Sequence, residues 1–343
     1  MSLHVILEAL IALLPALIFL AALLHLDGYK LVSPGELAEC LVAGMVLAVL
    51  SYFTNARAIG ILKYDLATYS RFVAPFAEES LKAAFIIILF ARNRIGFMID
   101  AAIAGFAIGT GFSLIENVYY VYVFPEGAPL GVWIVRGFGT AIMHGGTTAI
   151  FGVMAQNLTE RRAIVNPLLM LPGLVVAIVI HGLYNYLQTS PVIAAAAMLV
   201  TVPMVLLVIF GKSEHKIHTW LLGDYESHEH LLKDIESGEF THTEAGHFIQ
   251  TLANRFDPDV IKELFEYIRL HTELALRADQ VSLAREKGEK LSGGHEIHVS
   301  FRRMHALEKK VGPAAMLALW PHMHFSRKEL WELNELEDQV RFA

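Results

Sequence analysis

The chain has a single cysteine, Cys40, in 343 residues. An intrachain disulfide and a thiolate metal cage are therefore excluded. Cys40 lies in an apolar run and reads as a small core residue. Charge is also scarce: 18% of residues are charged and 55% are hydrophobic, the profile of a polytopic membrane protein and not of a soluble domain. The formal net charge of -7 gives no basic footprint for nucleic acid. No HExxH is present, which removes the familiar metalloprotease helix. No basic n-region precedes the first apolar run, Leu3–Leu26, which is longer than a signal-peptide core and reads as a retained membrane helix.

What is present is a series of such runs. Ser33-Pro34-Gly35-Glu36 has a helix start's N-cap serine, N1 proline and N3 glutamate, and opens a second span, Leu37–Asn55. Further spans are expected over Phe72–Ala91, Phe97–Phe124, Val132–Gln156, Pro167–Leu187 and Val192–Phe210. The expected fold is all-α: a polytopic transmembrane bundle of about seven spans over residues 1–211, followed by a mainly helical, histidine-rich soluble domain over 212–343.

Basic residues set the expected orientation. Arg92 and Arg94, Arg161 and Arg162, and Lys212 and Lys216 fall on one side of a seven-span alternation, taken as cytoplasmic. The N-terminus is then outside and the C-terminal domain in the cytoplasm. The loop with Arg57, Lys63 and Arg71 runs against the rule, and an interfacial helix around Ile59–Tyr69 would account for it.

The third span opens on Pro75-Phe76-Ala77-Glu78-Glu79-Ser80-Leu81-Lys82. Charges inside a span cost roughly 3 kcal/mol or more each and usually face a partner or a water-filled cavity. Partners are available: Glu116-Asn117 in the fourth span, Arg136 and His144 in the fifth, His181 and Asn185 in the sixth. Glu78/Lys82 and His181/Asn185 are i,i+4 pairs, each on one helix face. At about 1.5 Å per residue, Glu78, Glu79, Glu116 and His181 lie roughly 10–12 Å from the outer ends of their spans, with His144 somewhat deeper. Helices of alternating direction thus bring their polar groups to the outer half of the membrane.

Each element has a plainer reading. Glu78–Lys82 suits a solvated helix start, His144 a bond to a carbonyl, Arg136 a snorkelling side chain, and His181/Asn185 interhelical glue. Gathered in one bundle, they point to a functional site. Carboxylates and imidazoles around water suit hydrolysis, with a carboxylate taking the proton of an attacking water and His181 and Asn185 donating to an oxyanion. Two histidines and a glutamate also suffice for a catalytic zinc with an open position. A proton- or ion-coupled transporter and a catalytically silent scaffold are the alternatives from other classes.

Glu78-Glu79-x-x-Lys82, Asp100, Gly109-x-Gly111-Phe112-x-x-x-Glu116-Asn117, Arg136, His144 and His181-x-x-x-Asn185, in this order and spacing, resemble the PrsW family of intramembrane proteases over roughly Arg71–Leu187. That family is similar to the CAAX prenyl endopeptidases and bacteriocin-immunity proteins. The resemblance implies a prokaryotic multi-pass membrane protease acting on a single-pass membrane protein, with first cleavage of an anti-sigma factor as the best-known role. It makes Glu78, Glu79, Glu116, His144 and His181 the catalytic candidates. Glu78 or Glu79 would be the general base. Glu116, His144 and His181 would position water or a metal, possible zinc included. Asn185 would serve as oxyanion donor, and Lys82 and Arg136 as electrostatic supports.

Residues 212–343 lie outside the resemblance. Asp257-Pro258-Asp259 starts one helix and Ser326-Arg327-Lys328-Glu329 another; Glu236–Glu239 is a turn and Gly293-Gly294 a break. Twelve of the 16 histidines lie here, so a metal- or pH-sensing tail stands beside a plain histidine-rich helical domain. Leu264, Phe265, Ile268 and Trp320 imply a small core or a docking face for a cytoplasmic partner.

Overall fold

The computed structural model describes residues 3–28, 31–124, 128–160, 166–187, 190–253, 256–286, 294–319 and 327–341. Among these no strand occurs, and the chain divides into two units, Met1–Glu214 and His215–Ala343.

In the first unit α1 covers Leu3–Leu26 and α2 Pro34–Leu62. The expected start of α2 is a full capping box: Glu36 N donates to Ser33 Oγ at 3.2 Å, and Ser33 N donates to Glu36 Oε2 at 3.0 Å. A short α3 (Leu66–Thr68) and a π-helical turn (Tyr69–Val73) run into α4 (Ala74–Ala91). α5 covers Met98–Val123. α6 (Leu130–Ile134), a second π turn (Val135–Thr140) and α7 (Ala141–Thr159) make one continuous helical segment. A 3-10 turn (Pro167–Met170) leads into α8 (Leu171–Tyr186), and α9 covers Pro191–Ser237.

Among the described residues, five helical segments are long and apolar enough to cross a membrane: Ile6–Leu26, Pro34–Leu62, Met98–Val123, Pro167–Tyr186 and Pro191–Ser213. These match five of the expected spans and fit the expected all-α membrane bundle. The other two expected spans are helical too: α4 carries Glu78, Glu79 and Lys82 within its 18 residues, and the α6–α7 segment runs continuously through its π turn. Two boundaries change. The separate interfacial helix around Ile59–Tyr69 does not form: α2 extends to Leu62, and Lys63, at φ 54°, turns the chain towards an Asp65 cap. α9 does not stop at Phe210 but continues to Ser237. Arg161 and Arg162 lie outside the described residues, as do Trp320, His322, His324 and Ser326.

α5 is the axis of the unit. Its Ala/Gly-rich N-terminal two-thirds, from Ile99 to Ser113, is buried on all sides, which small residues permit by letting neighbouring backbones come close. A Cβ on Gly109 would collide with the carbonyl of His144, so α5 and α7 touch backbone to backbone at that level. Asp100 caps α5, accepting from Gly96 N at 2.7 Å and Phe97 N at 2.8 Å; its role is structural.

The second unit packs the distal part of α9 with α10 (Glu244–Leu252), α11 (Pro258–Glu286), α12 (Gly294–Leu319) and α13 (Arg327–Arg341). Its core includes Phe240, Leu264, Ile268, Leu274, Phe301 and Leu336, with Phe265 packed against it. Asp257 Oδ1 accepts from Asp259 N at 2.9 Å, the expected cap of α11. Gly238 takes φ 84° in the expected turn.

Candidate active site

The polar residues of four helices meet in one buried cluster. α4 supplies Glu78, Glu79 and Lys82; α5, Glu116; α7, His144; and α8, His181. Both π turns lie just ahead of helices that carry site residues, a common location for this irregularity.

Glu79 is the hub. Its side chain is 1% exposed, and its Oε1 accepts from Lys82 Nζ at 2.6 Å and from Thr147 Oγ1 at 3.3 Å. The same oxygen lies 2.8 Å from His181 Nδ1. Lys82, with no exposure, also lies 3.2 Å from His144 Nδ1 and over the Phe112 ring. An ammonium group only donates, so His144 Nδ1 accepts and its Nε2 carries the proton to Glu116 Oε2 at 2.9 Å. A carboxylate only accepts, so His181 carries its proton on Nδ1 and turns the Nε2 lone pair towards Glu78 Oε2, 3.9 Å away. The two imidazole rings are 4.9 Å apart and nearly perpendicular.

Glu78 differs from Glu79. Its side chain is 14% exposed, and with Glu116 it borders a cavity of about 460 Å³. Asn55 Nδ2 donates to Glu78 Oε1 at 3.0 Å, and Tyr69 OH donates to Asn55 Oδ1 at 2.9 Å. Arg136 pairs with Glu116 at 3.3 Å, donates to Asn117 Oδ1 at 2.9 Å and lies 3.7 Å from the Tyr120 ring centre. Asn185 Nδ2 donates to the Ser70 carbonyl at 2.8 Å.

Glu78, His144 and His181 each offer one ligand atom, all within 4.8 Å of one another. The expected set of His144, His181 and Glu116 shares both histidines with this group, while Glu116 serves as a hydrogen-bond partner of His144. The residues fit a divalent metal on two counts. Two imidazoles and a carboxylate are an ordinary zinc donor set, and His181 donates from Nδ1 to Glu79 while its Nε2 lone pair stays open, as metal-binding histidines do; on His144 the lone pair is that of Nδ1, which a metal would have to take from Lys82. Among the described residues, no histidine group of the second unit meets the same distance test.

Sequence reasoning missed Asn55, Tyr69 and Thr147. Asn55 had a signal, an amide at the end of an apolar span. Thr147 and Tyr69 had none, since such residues are common in membrane helices.

Fold and site together define a polytopic membrane protein with a carboxylate–imidazole cluster inside its helical bundle. Residues 33–210 match the family model for the PrsW family intramembrane metalloprotease. That is more than half of the chain, and the chain belongs to this family. It is a membrane peptidase whose substrates are membrane proteins. No curated protein and no solved structure matches it.

Proposed function

We propose that the chain cuts a single-pass membrane protein at the Glu78–His144–His181 group, with Glu78 as general base. The observation that carries this is the contrast between the adjacent glutamates. Glu79 spends its charge on Lys82, His181 and Thr147 out of reach of water, while Glu78 faces the cavity. Glu78 takes a proton from water as the water oxygen bonds to the scissile carbonyl carbon, then returns it to the amine nitrogen as the C–N bond breaks. Asn55 fixes the Glu78 carboxylate. Glu79 and Glu116 hold the two imidazoles in complementary tautomers. Lys82 neutralises Glu79, and Arg136 neutralises Glu116. Asn185, bound to Ser70, holds the π turn that leads into α4, and this is the role assigned to it in place of oxyanion donor.

A zinc or similar ion held by His144 and His181, with Glu78 beside it and free to act as base, would supply Lewis-acid polarisation of the water and the scissile carbonyl. The finer reading, suggested by the family's best-known role, is a first cut of an anti-sigma factor near the outer face of a prokaryotic membrane, with the His215–Ala343 unit in the cytoplasm. Its support is positional. Arg94 pairs with Glu36 at the start of α2, whereas Asn55, beside Glu78, lies near the end of that helix. The Arg94 end and the site end of the bundle are thus opposite, and Arg57, Lys63 and Arg71 stand at the site end.

The test is comparative membrane proteomics of cells expressing the wild-type chain or Glu78→Gln at equal abundance. A single-pass protein shortened only with the wild type supports the reading and names the substrate. No change in the length of any membrane protein, at rest and under envelope stress, contradicts it.

A further inference from the structure

The cavity beside Glu78 has a shape that follows from how α2 and α5 cross. A Cβ on Gly44 would run into the carbonyl of Ile108, and one on Gly111 into the carbonyl of Leu41. The two helices therefore touch at the level of residues 41–44 and 108–111. Further along, larger residues replace the glycines, with the Tyr52 and Tyr119 rings 5.5 Å apart, and a wedge opens. The wedge is the cavity of about 460 Å³, a volume within the usual range for ligand sites. Its walls include Ala48, Tyr52, Phe53, Ala56, Ile115 and Tyr119, and it reaches Glu78 and Glu116. From Ala48 to Ile59, α2 rises about 16 Å, the length of about five residues of extended chain. Ser51 and Asn55, on its α2 wall, are bonded to each other at 3.1 Å and hold Glu78 at the wedge's inner end. Another cavity of equal volume, lined by residues such as Leu10, Phe138 and Leu199, is wholly apolar and touches none of the site's carboxylates.

We infer that the α2–α5 wedge is the substrate channel, taking an unwound end of a transmembrane polypeptide with a large apolar residue next to the bond that is cut. This rests on the protease reading and adds to it the route of entry and the side-chain class. A transmembrane polypeptide is favoured over a lipid chain because the wedge runs onto the carboxylates that the reaction needs, where an acyl chain finds no partner. Ala56, exposed in the wedge wall, becomes a specificity-determining position.

The probe is a lysine-flanked Leu/Ala transmembrane peptide with alanine or phenylalanine at one position near its end, reconstituted with the full chain in liposomes. Ala56→Trp narrows the wedge. It should lower kcat/KM for the phenylalanine peptide at least tenfold more than for the alanine peptide. An equal change for both peptides would overturn the inference and leave proteolysis standing. A second measurement does not depend on turnover. Phe53, an exposed aromatic, is replaced by benzoylphenylalanine in the Glu78→Gln chain, and Val175, exposed on α8, is replaced in the same way as a control. Peptide crosslinks several-fold stronger from position 53 support the wedge, even if the wild type cuts neither peptide, in which case the protease reading fails alone. Crosslinks that are equal at the two positions, or only to lipid at position 53, overturn it.

Discussion

Glu79→Gln separates the two glutamates. Glu79 Oε1 is the partner of a lysine with no exposure, at 2.6 Å. Removing one member of a buried ion pair costs about 3–5 kcal/mol, because the other charge stays buried and unpaired. Glutamine retains an acceptor oxygen, so the expected loss is near the lower end, about 3 kcal/mol. His181 also loses its charged partner, which should reduce activity roughly 10–100-fold. Glu78→Gln should behave in the opposite way. Its amide keeps an oxygen for Asn55, so stability changes by less than about 1 kcal/mol, while loss of the base lowers the rate by about 100-fold or more. The double variant Glu79→Gln/Lys82→Met removes both charges and should recover most of the stability without recovering activity. Unfolding in mixed detergent–SDS micelles, followed by tryptophan fluorescence, gives the stabilities, and cleavage of an identified substrate gives the rates. A Glu79→Gln chain as stable as the wild type, or a double variant no more stable than the single one, would refute the hub role of Glu79.

Other outcomes follow from the same geometry. Purified chain should carry about one divalent metal per molecule, and His144→Ala or His181→Ala should lose it; active, metal-free wild type would refute the ligand assignment. Gly111→Ala, whose Cβ meets the Leu41 carbonyl, should destabilise the first unit by about 1–3 kcal/mol in the same unfolding assay; an unchanged midpoint would mean that α2 and α5 do not touch there. In the second unit, burial opposes the charge on His228, but its bonds to Asp279, at 2.7 Å, and to Glu329 raise its pKa to about 10, whereas burial lowers His271 to about 4 despite Glu329. The His228 contribution to stability is therefore full below about pH 6.5 and lost as pH rises towards 10, and the His271 contribution is full above about 6.5 and lost as pH falls towards 4. Histidine NMR of the full chain in nanodiscs should show His228 protonated and His271 neutral at pH 8, and Asp279→Asn should lower the His228 titration; a His228 that titrates near 6.5 would contradict this.

The membrane bundle and most of the cluster were legible in the sequence because ionisable residues are conspicuous against apolar helices. Glu78, Glu79, Glu116, His144 and His181 stood out on that ground, and the structure brings them together. What was not legible has two physical causes. The division of labour between Glu78 and Glu79 depends on which face of α4 meets α7 and α8, and the π turn at Tyr69–Val73 sets that face. Asn55 acts across 23 residues of chain on Glu78, a contact that depends on how α2 and α4 pack, which no local pattern carries. In the second unit, a plain histidine-rich helical domain stood beside a metal- or pH-sensing one; His228 and His271 lie against carboxylates in a packed helical core, a pairing that histidine content alone does not reveal.

The most direct test of the central claim uses purified chain in liposomes with the substrate that proteomics identifies and no other protein. The account predicts a single cut in or at the edge of the substrate's membrane segment by the wild-type chain, and none by a Glu78→Gln chain that unfolds at the same denaturant concentration. An intact substrate with the wild type, or equal cutting by Glu78→Gln, would contradict it.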